Sequence, residues 1–216
     1  MSSKRVFFQI GANNGDDDFR KYAQEHNPDL IILVEPNTSH ADSIKERYSS
    51  MKNVCLYTKA IYYESNTTVD LVIPSKNGKY GEKADNGIVY TDVHYSLVPM
   101  NDWGSKDDMV SLKVETITFD DICKCHNITE IEFLQIDTEG FDSEIIRMID
   151  LSKYKIHNIK FEKWNFNTEC FTKYNENNST NLGINGMNLC FEKLKHHNYE
   201  IKDDGHDYIA TLKNVK

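Results

Sequence analysis

A chain of 216 residues with 39% hydrophobic content, 12 Tyr and 10 Phe is globular rather than disordered, and it can bury about 70% of its unfolded surface. The net charge of -9 argues against a duplex-DNA binder, which needs a basic face to displace counterions. Five cysteines in no framework spacing, and no apolar run near ~20 residues, argue against a disulfide scaffold and a membrane-spanning helix.

The N-terminal apolar run is too short for a signal peptide, so a reducing, cytoplasmic compartment is expected. "RVFFQI" (5–10) reads as a buried strand. Phe19, Tyr22, Ala23 and His26 then recur at helical spacing, and Pro28 closes the unit. "LIILVE" (30–35) is a second strand. Asn37 or Thr38 can cap a helix that carries Ala41, Ile44, Tyr48 and Met51 on one face. "NVCLYTKAIYY" gives a third strand, and "TTVDLVIP" a fourth expected beside it. Between Ser75 and Asp108 the periodicity is lost, and a segment this long suggests a lid or substrate loop.

"LKVETITF" resumes as a strand, "DDICKCHN" as a short helix, and "IEFLQID" (131–137) as a buried strand. Phe141, Ile145 and Ile149 share the next helix face. "KIHNIKFE" (155–162) is another strand. Ile184, Met187, Phe191 and Leu194 define the last helix. Two strands around Asp203, Asp204 and Gly205 read as a terminal hairpin. Alternating strands and helices imply an α/β chain with a mostly parallel sheet, right-handed crossovers and one antiparallel strand. No repeat or internal boundary interrupts residues 1–216, which read as a single domain.

Four motifs carry chemistry. "GANNG" (11–15) joins the first strand to its helix, where a dinucleotide site would show G-x-G-x-x-G. Position 13 is Asn, whose side chain hinders a pyrophosphate, and Asp16, Asp17 and Asp18 would repel one. The plain alternative is that these acids cap the helix. A ligand with a positive end and no phosphate fits the stretch, and S-adenosylmethionine is such a ligand. "VEPN" places Glu35 at the end of the second strand, 24 residues after Gly11, where a carboxylate can accept both hydroxyls of an adenosine ribose.

"LQIDTEGFDSEII" sets Asp137 and Glu139 after a buried strand, at the sheet edge where open α/β folds bind ligands. Two carboxylates beside Gly140 exceed what helix capping needs. "IKFE" puts Glu162 on the same edge, facing either substrate or solvent. His94, in the long irregular segment, has a side chain suited to base chemistry near neutral pH. "CKCH" (123–126) has no second cluster to complete a metal site, so no metal is expected there. A divalent ion bridging Asp137 and Glu139 is the alternative for the acidic turn.

In this order, "IGANNG", "VEPN", "VETITFDDI", "FLQIDTEGFDSEII" and "IKFE" resemble the FkbM-type family of S-adenosylmethionine-dependent methyltransferases, over about three-quarters of the chain. The resemblance implies a Rossmann-like class I methyltransferase fold: seven strands, six parallel and one antiparallel, with helices on both faces. It implies O-methyl transfer to a hydroxyl of a small molecule such as a sugar; the acidic charge and the lack of a long apolar run, for their part, lead us to expect no nucleic acid or membrane partner. Gly11, Ala12, Asn13 and Gly15 would line the cofactor, Glu35 would hold its ribose, and Ala60 and Ile61 would lie near the adenine. Asp137 and Glu139 would lie near the methionine end or the acceptor. Asp137, His94, Glu139 and Glu162 are the candidate catalytic bases. One departure stands out: the family usually has Asp two residues before the loop, and this chain has Gln9. Two rivals remain open at this point: a non-catalytic descendant that binds adenosine compounds or a partner, and an NAD-dependent oxidoreductase.

Overall fold

The computed structural model describes residues 4–74, 96–98, 109–163, 175 and 180–213. In chain order the elements are β1 (Val6–Ile10), α1 (Asp18–His26), β2 (Leu30–Val34), a 3-10 turn (Thr38–His40), α2 (Ala41–Arg47), β3 (Val54–Tyr57), β4 (Ala60–Ile61) and β5 (Thr68–Pro74). Then follow β6 (Met109–Ile117), α3 (Phe119–Cys125), β7 (Glu130–Ile136), α4 (Asp142–Met148), β8 (Lys155–Glu162), α5 (Gly183–His196), β9 (Tyr199–Asp204) and β10 (Asp207–Leu212).

Seven strands form one sheet in the order β3-β2-β1-β7-β8-β10-β9. Every pairing from β3 to β8 is parallel, and β10 runs antiparallel to both β8 and β9. Gly205, at φ +76, makes the turn of the terminal hairpin. Alternation along β1 and β2 splits the core. Phe7, Ile31 and Leu33 meet Phe19 and Ala23 of α1 and Ile44 of α2 on one face. Phe8, Ile10, Ile32 and Val34 share the other face with α3, α4 and α5. Helices therefore cover both faces, as expected.

Local chemistry explains the boundaries. Asp17 caps α1 by accepting from the Arg20 N–H at 3.0 Å, and Asn27 ends it in the left-handed conformation ahead of Pro28. Asn37 supplies the expected cap at the 3-10 turn by accepting from the Ser39 N–H. Burying Phe19 against Phe7 and Phe133 stabilises the α1 packing by roughly 2 kcal/mol.

Two expectations are corrected. β5 does not lie beside β3. It pairs antiparallel with β6 in a second sheet of order β4-β6-β5. Seven register pairs with β6 outweigh what the four-residue β3 could offer. Ile184 is also off the buried face of α5, at 53% exposure, while Gly183, Gly186, Cys190 and Leu194 are buried. A Cβ at Gly186 would sit 2.0 Å from the Asn181 carbonyl oxygen and 2.8 Å from the Ser143 Cβ. Small residues make that contact, and they rotate the buried stripe away from Ile184.

Candidate active site

The site lies at the carboxyl ends of β1, β2 and β7. The loop after β1 turns sharply because Gly11 takes φ +85. A Cβ there would fall 1.7 Å from the carbonyl oxygen of Asp137, so only glycine lets the ends of β1 and β7 touch. Gly11 and Ala12 donate to the Val34 carbonyl, and Gly15 donates to Ala12. Asn13 donates to Glu35, Asn14 to the Asn13 side chain and Asp16 to the Asn14 side chain. Every backbone N–H from residue 11 to 16 is thus committed within the protein. A diphosphate would need several of these donors free.

Glu35 closes the cavity on the β2 side. It is 4% exposed, and its two carboxylate oxygens accept from the N–H groups of Asn13 and Asn37, each at 2.8 Å. Burial pushes its carboxyl up to about 7 against those two bonds, with nearby Asp137 adding to the rise. Each oxygen keeps a further lone pair for a ligand hydroxyl.

Asp137 is exposed to the cavity but walled by protein elsewhere. Loss of water on those sides raises its carboxyl to about 7; Asp142, Asp207 and Asp17 add to the rise and Lys160 opposes it. Water in the open cavity moderates the rise. The turn beyond it is built by Asp142, which is 2% exposed. Its carboxylate accepts from Thr138 N–H at 3.2 Å, Thr138 hydroxyl at 2.7 Å and Glu162 N–H at 3.3 Å. Burial raises its carboxyl, and those bonds oppose the rise.

The cavity encloses about 630 Å³, counting its open mouth. Of the expected residues, Gly11, Asn13, Glu35, Ala60, Ile61, Asp137 and Glu139 line it. Ala12 and Gly15 lie behind it: Ala12 is in the core, and Gly15 packs against Ile44 and Tyr48. Glu162 is not among the lining residues. His94 and most of the 75–108 segment fall outside the described residues. Sequence reasoning missed Leu71, Leu97 and Phe141, which line the apolar side. In the sequence Phe141 shows only helix-core spacing, and Leu97 comes from a stretch with no periodicity.

The aspartates at 16–18 are corrected: none lines the cavity. Asp17 caps α1 and accepts from the Gln9 side-chain amide. Asp16 pairs with Arg20 and Arg47, and Asp18 with Lys21. The capping alternative accounts for them. What stands against a diphosphate at this loop is instead that its backbone donors already have partners. His126 of "CKCH" hydrogen-bonds Tyr57. Among the described residues no group of three or more His, Cys, Asp or Glu is arranged to hold a metal ion, and no helix is long and apolar enough to cross a membrane.

A seven-stranded sheet with one reversed strand, and a ligand cavity at the carboxyl ends of its central strands, is the arrangement expected of a class I methyltransferase. The sequence profile described as Methyltransferase FkbM domain matches residues 9–215. The chain belongs to this family of S-adenosylmethionine-dependent methyltransferases. No curated protein matches it. Among solved structures it is similar to precorrin-6y C5,15-methyltransferase from Geobacter metallireducens GS-15, at 12% identity and a TM-score of 0.43, covering 99% of this chain and 82% of that one. It is also similar to ribosomal protein L11 methylase from Lactobacillus delbrueckii subsp. bulgaricus, at 8% identity and a TM-score of 0.42, covering 100% and 73%. A third is M. capricolum TrmK in complex with S-adenosyl-homocysteine, at 12% identity and a TM-score of 0.39, covering 100% and 67%. At such scores the sheet order and the family match carry the assignment.

Proposed function

We propose that this protein is an S-adenosylmethionine-dependent O-methyltransferase acting on a hydroxyl of a small molecule, a sugar or glycan component. One observation carries the reading: a buried carboxylate, Glu35, and an acidic turn, Asp137 to Gly140, face one cavity under a loop with no N–H left for phosphate. The residues present fit the cofactor. Glu35 would take the ribose hydroxyls, Ala60 and Ile61 offer apolar contact to the adenine, and Asp137 offers negative charge to the cationic end. The glycine at position 11 supports close packing of loop, turn and ligand.

S-adenosylmethionine supplies an electrophilic methyl carbon next to a positively charged sulfur. The chain supplies position and a proton acceptor. Holding an acceptor hydroxyl at attack distance contributes several of the ~7–11 kcal/mol available to oriented reactants. Asp137, with its carboxyl raised toward neutrality, is the base we assign to remove the hydroxyl proton. Glu139 lines the same cavity and stands next to it. The acidic net charge supports a small-molecule acceptor over a nucleic acid or an anionic membrane surface.

Calorimetric binding of S-adenosylmethionine and of NAD to the wild type, Glu35→Gln and Glu35→Ala tests the reading. S-adenosylmethionine binds and NAD does not; Glu35→Ala weakens binding by ~1.5–3 kcal/mol, as for a charged hydrogen-bond acceptor. Methyl transfer to sugar hydroxyls, with and without EDTA, then tests the reaction and removes the divalent-ion variant if turnover persists. Binding without transfer to any hydroxyl would leave a non-catalytic adenosine-binding protein.

A further inference from the structure

Seven described residues other than glycine adopt positive φ: Asn13, Asn27, Asn53, Asn66, Asn127, Asn198 and Glu139. Six are asparagines, whose short amide tolerates that region through local hydrogen bonds. Glu139, at φ 52, is the exception, and it lines the cavity beside Asp137. Among the described residues, Asn stands wherever else a non-glycine turn needs this conformation. Glutamate gains nothing from it. The reason for Glu139 therefore lies with its side chain, at a site where backbone strain is tolerated.

Asp142 holds the start of that turn, and a buried hydroxyl holds Glu139 itself. Ser96 Oγ donates to the carbonyl oxygen of Glu139 at 2.7 Å and accepts from the Val98 N–H at 3.0 Å. The backbone of Ser96 exchanges two hydrogen bonds with Val72 of β5, at 2.7 and 3.1 Å. Ser96 is 1% exposed, and Val98, at 0%, is in the main core. Between them Leu97 lines the cavity. Ser96 is thus fixed from three sides and cannot swing away from Glu139. Gly140, at φ 106, completes the turn.

We propose that Ser96 is a positioning residue: it holds Glu139 in the left-handed conformation, and this presents the Glu139 carboxylate to the cationic end of the bound cofactor. The proposal rests on the S-adenosylmethionine reading above. It makes the small sheet, through β5, part of the site's architecture.

The test is calorimetric binding of two probes, S-adenosylmethionine and the uncharged 5′-methylthioadenosine. The proteins are wild type, Ser96→Ala, Ser96→Cys, Glu139→Gln and the Ser96→Ala/Glu139→Gln double variant. Ser96→Ala and Glu139→Gln each raise the Kd for S-adenosylmethionine by roughly tenfold. Ser96→Cys, a weak donor, falls between wild type and Ser96→Ala. Binding of 5′-methylthioadenosine stays unchanged, and the double variant is no weaker than Glu139→Gln alone. Hydrogen exchange at the amides of Glu139 and Gly140 speeds up in Ser96→Ala. An additive double variant, an equal loss for both probes or an unchanged Kd in Ser96→Ala would overturn the positioning role while leaving the cofactor reading intact. Wild type that binds neither probe would overturn both. If Ser96→Ala does not fold, Glu139→Asn decides alone: it should lower the unfolding constant roughly fivefold, by relief of the left-handed strain, and still bind S-adenosylmethionine more weakly. Glu139→Asn with no gain in stability, or with unaltered affinity, refutes the proposal.

Discussion

Four glycines separate the two reasons a position can require glycine, and the separation fixes what each alanine variant should do. At Gly205 a Cβ meets nothing within 4 Å, and only φ +76 opposes it. The left-handed backbone costs about 1–2 kcal/mol for a residue with a Cβ, offset in part by the stiffer unfolded chain, so Gly205→Ala should lose about 1 kcal/mol. Gly186 has no such backbone, yet its Cβ would lie 2.0 Å from the Asn181 oxygen. Overpacking of about 1–3 kcal/mol works there against a helix-propensity gain near 1 kcal/mol, for a net loss of about 1–2 kcal/mol given so short an approach to backbone. Gly15 combines φ +78 with 3.3 Å contacts to Ile44 and Tyr48, which a small side-chain shift relieves, so about 1–2 kcal/mol is expected. Gly11 combines φ +85 with a Cβ 1.7 Å from the Asp137 oxygen, and both partners are backbone. Strain and clash add to about 2–5 kcal/mol. That is a large share of a domain's usual 5–15 kcal/mol. Urea titration of the four variants measures the series, with cofactor affinity read alongside. Gly11→Ala as mild as Gly205→Ala, with binding intact, would show that the ends of β1 and β7 do not meet as described.

Further outcomes follow from the acids. Asp17→Ala should lose about 2–3 kcal/mol, because it removes a helix cap and leaves the buried Gln9 amide without its acceptor; Asp17→Asn should keep most of the cap, and equal melting temperatures for the two would sink this account. Folding raises the carboxyls of Glu35 and Asp137 from 4.5 and 3.8 to about 7. The folded state therefore holds more protons than the unfolded one across this interval, and the ligand-free protein should be most stable at its acid end and lose stability as pH rises toward 7. A stability that climbs steadily from pH 5 to 7 in the wild type, and is unaltered in Asp137→Asn, contradicts this. A cationic ligand beside Asp137 favours its ionised form, so binding of S-adenosylmethionine near pH 6 should release protons. Calorimetry in buffers of different ionisation enthalpy reads the number directly, and zero release places the cationic end elsewhere.

How much the sequence disclosed depended on whether the signal was local. The strands at 6–10 and 30–34 announce themselves as near-continuous apolar runs, because the centre of a parallel sheet covered on both faces has no polar side to alternate with, whereas those at 130–136 and 155–162 show mainly as alternation. Gly11, Glu35 and Asp137 could be found because strand ends converge on one edge by topology. The partner of β5 could not, since two equally plausible neighbours differ only in the ladder length each would reach. The charge of Asp16 to Asp18 was legible, but its direction was not: Arg20, Lys21 and Arg47 take it up, and Arg47 arrives from another helix. Leu97 and Ser96 were invisible for a different reason. They sit in a long stretch whose sequence shows no periodicity, so there is no period to detect.

The placement of β1 in the middle of the sheet sets when the site can come into being. Phe7 pairs with Ile31 early in the chain, but its other neighbour is Phe133, 126 residues later. Bringing such distant segments together carries a chain-closure entropy that only finished pairing offsets. During synthesis, β1 and β2 therefore emerge with one edge of β1 still bare, and Gly11 has no Asp137 to lean on. A ligand of this cavity cannot guide the early steps. It can only lock the sheet after β7 has docked.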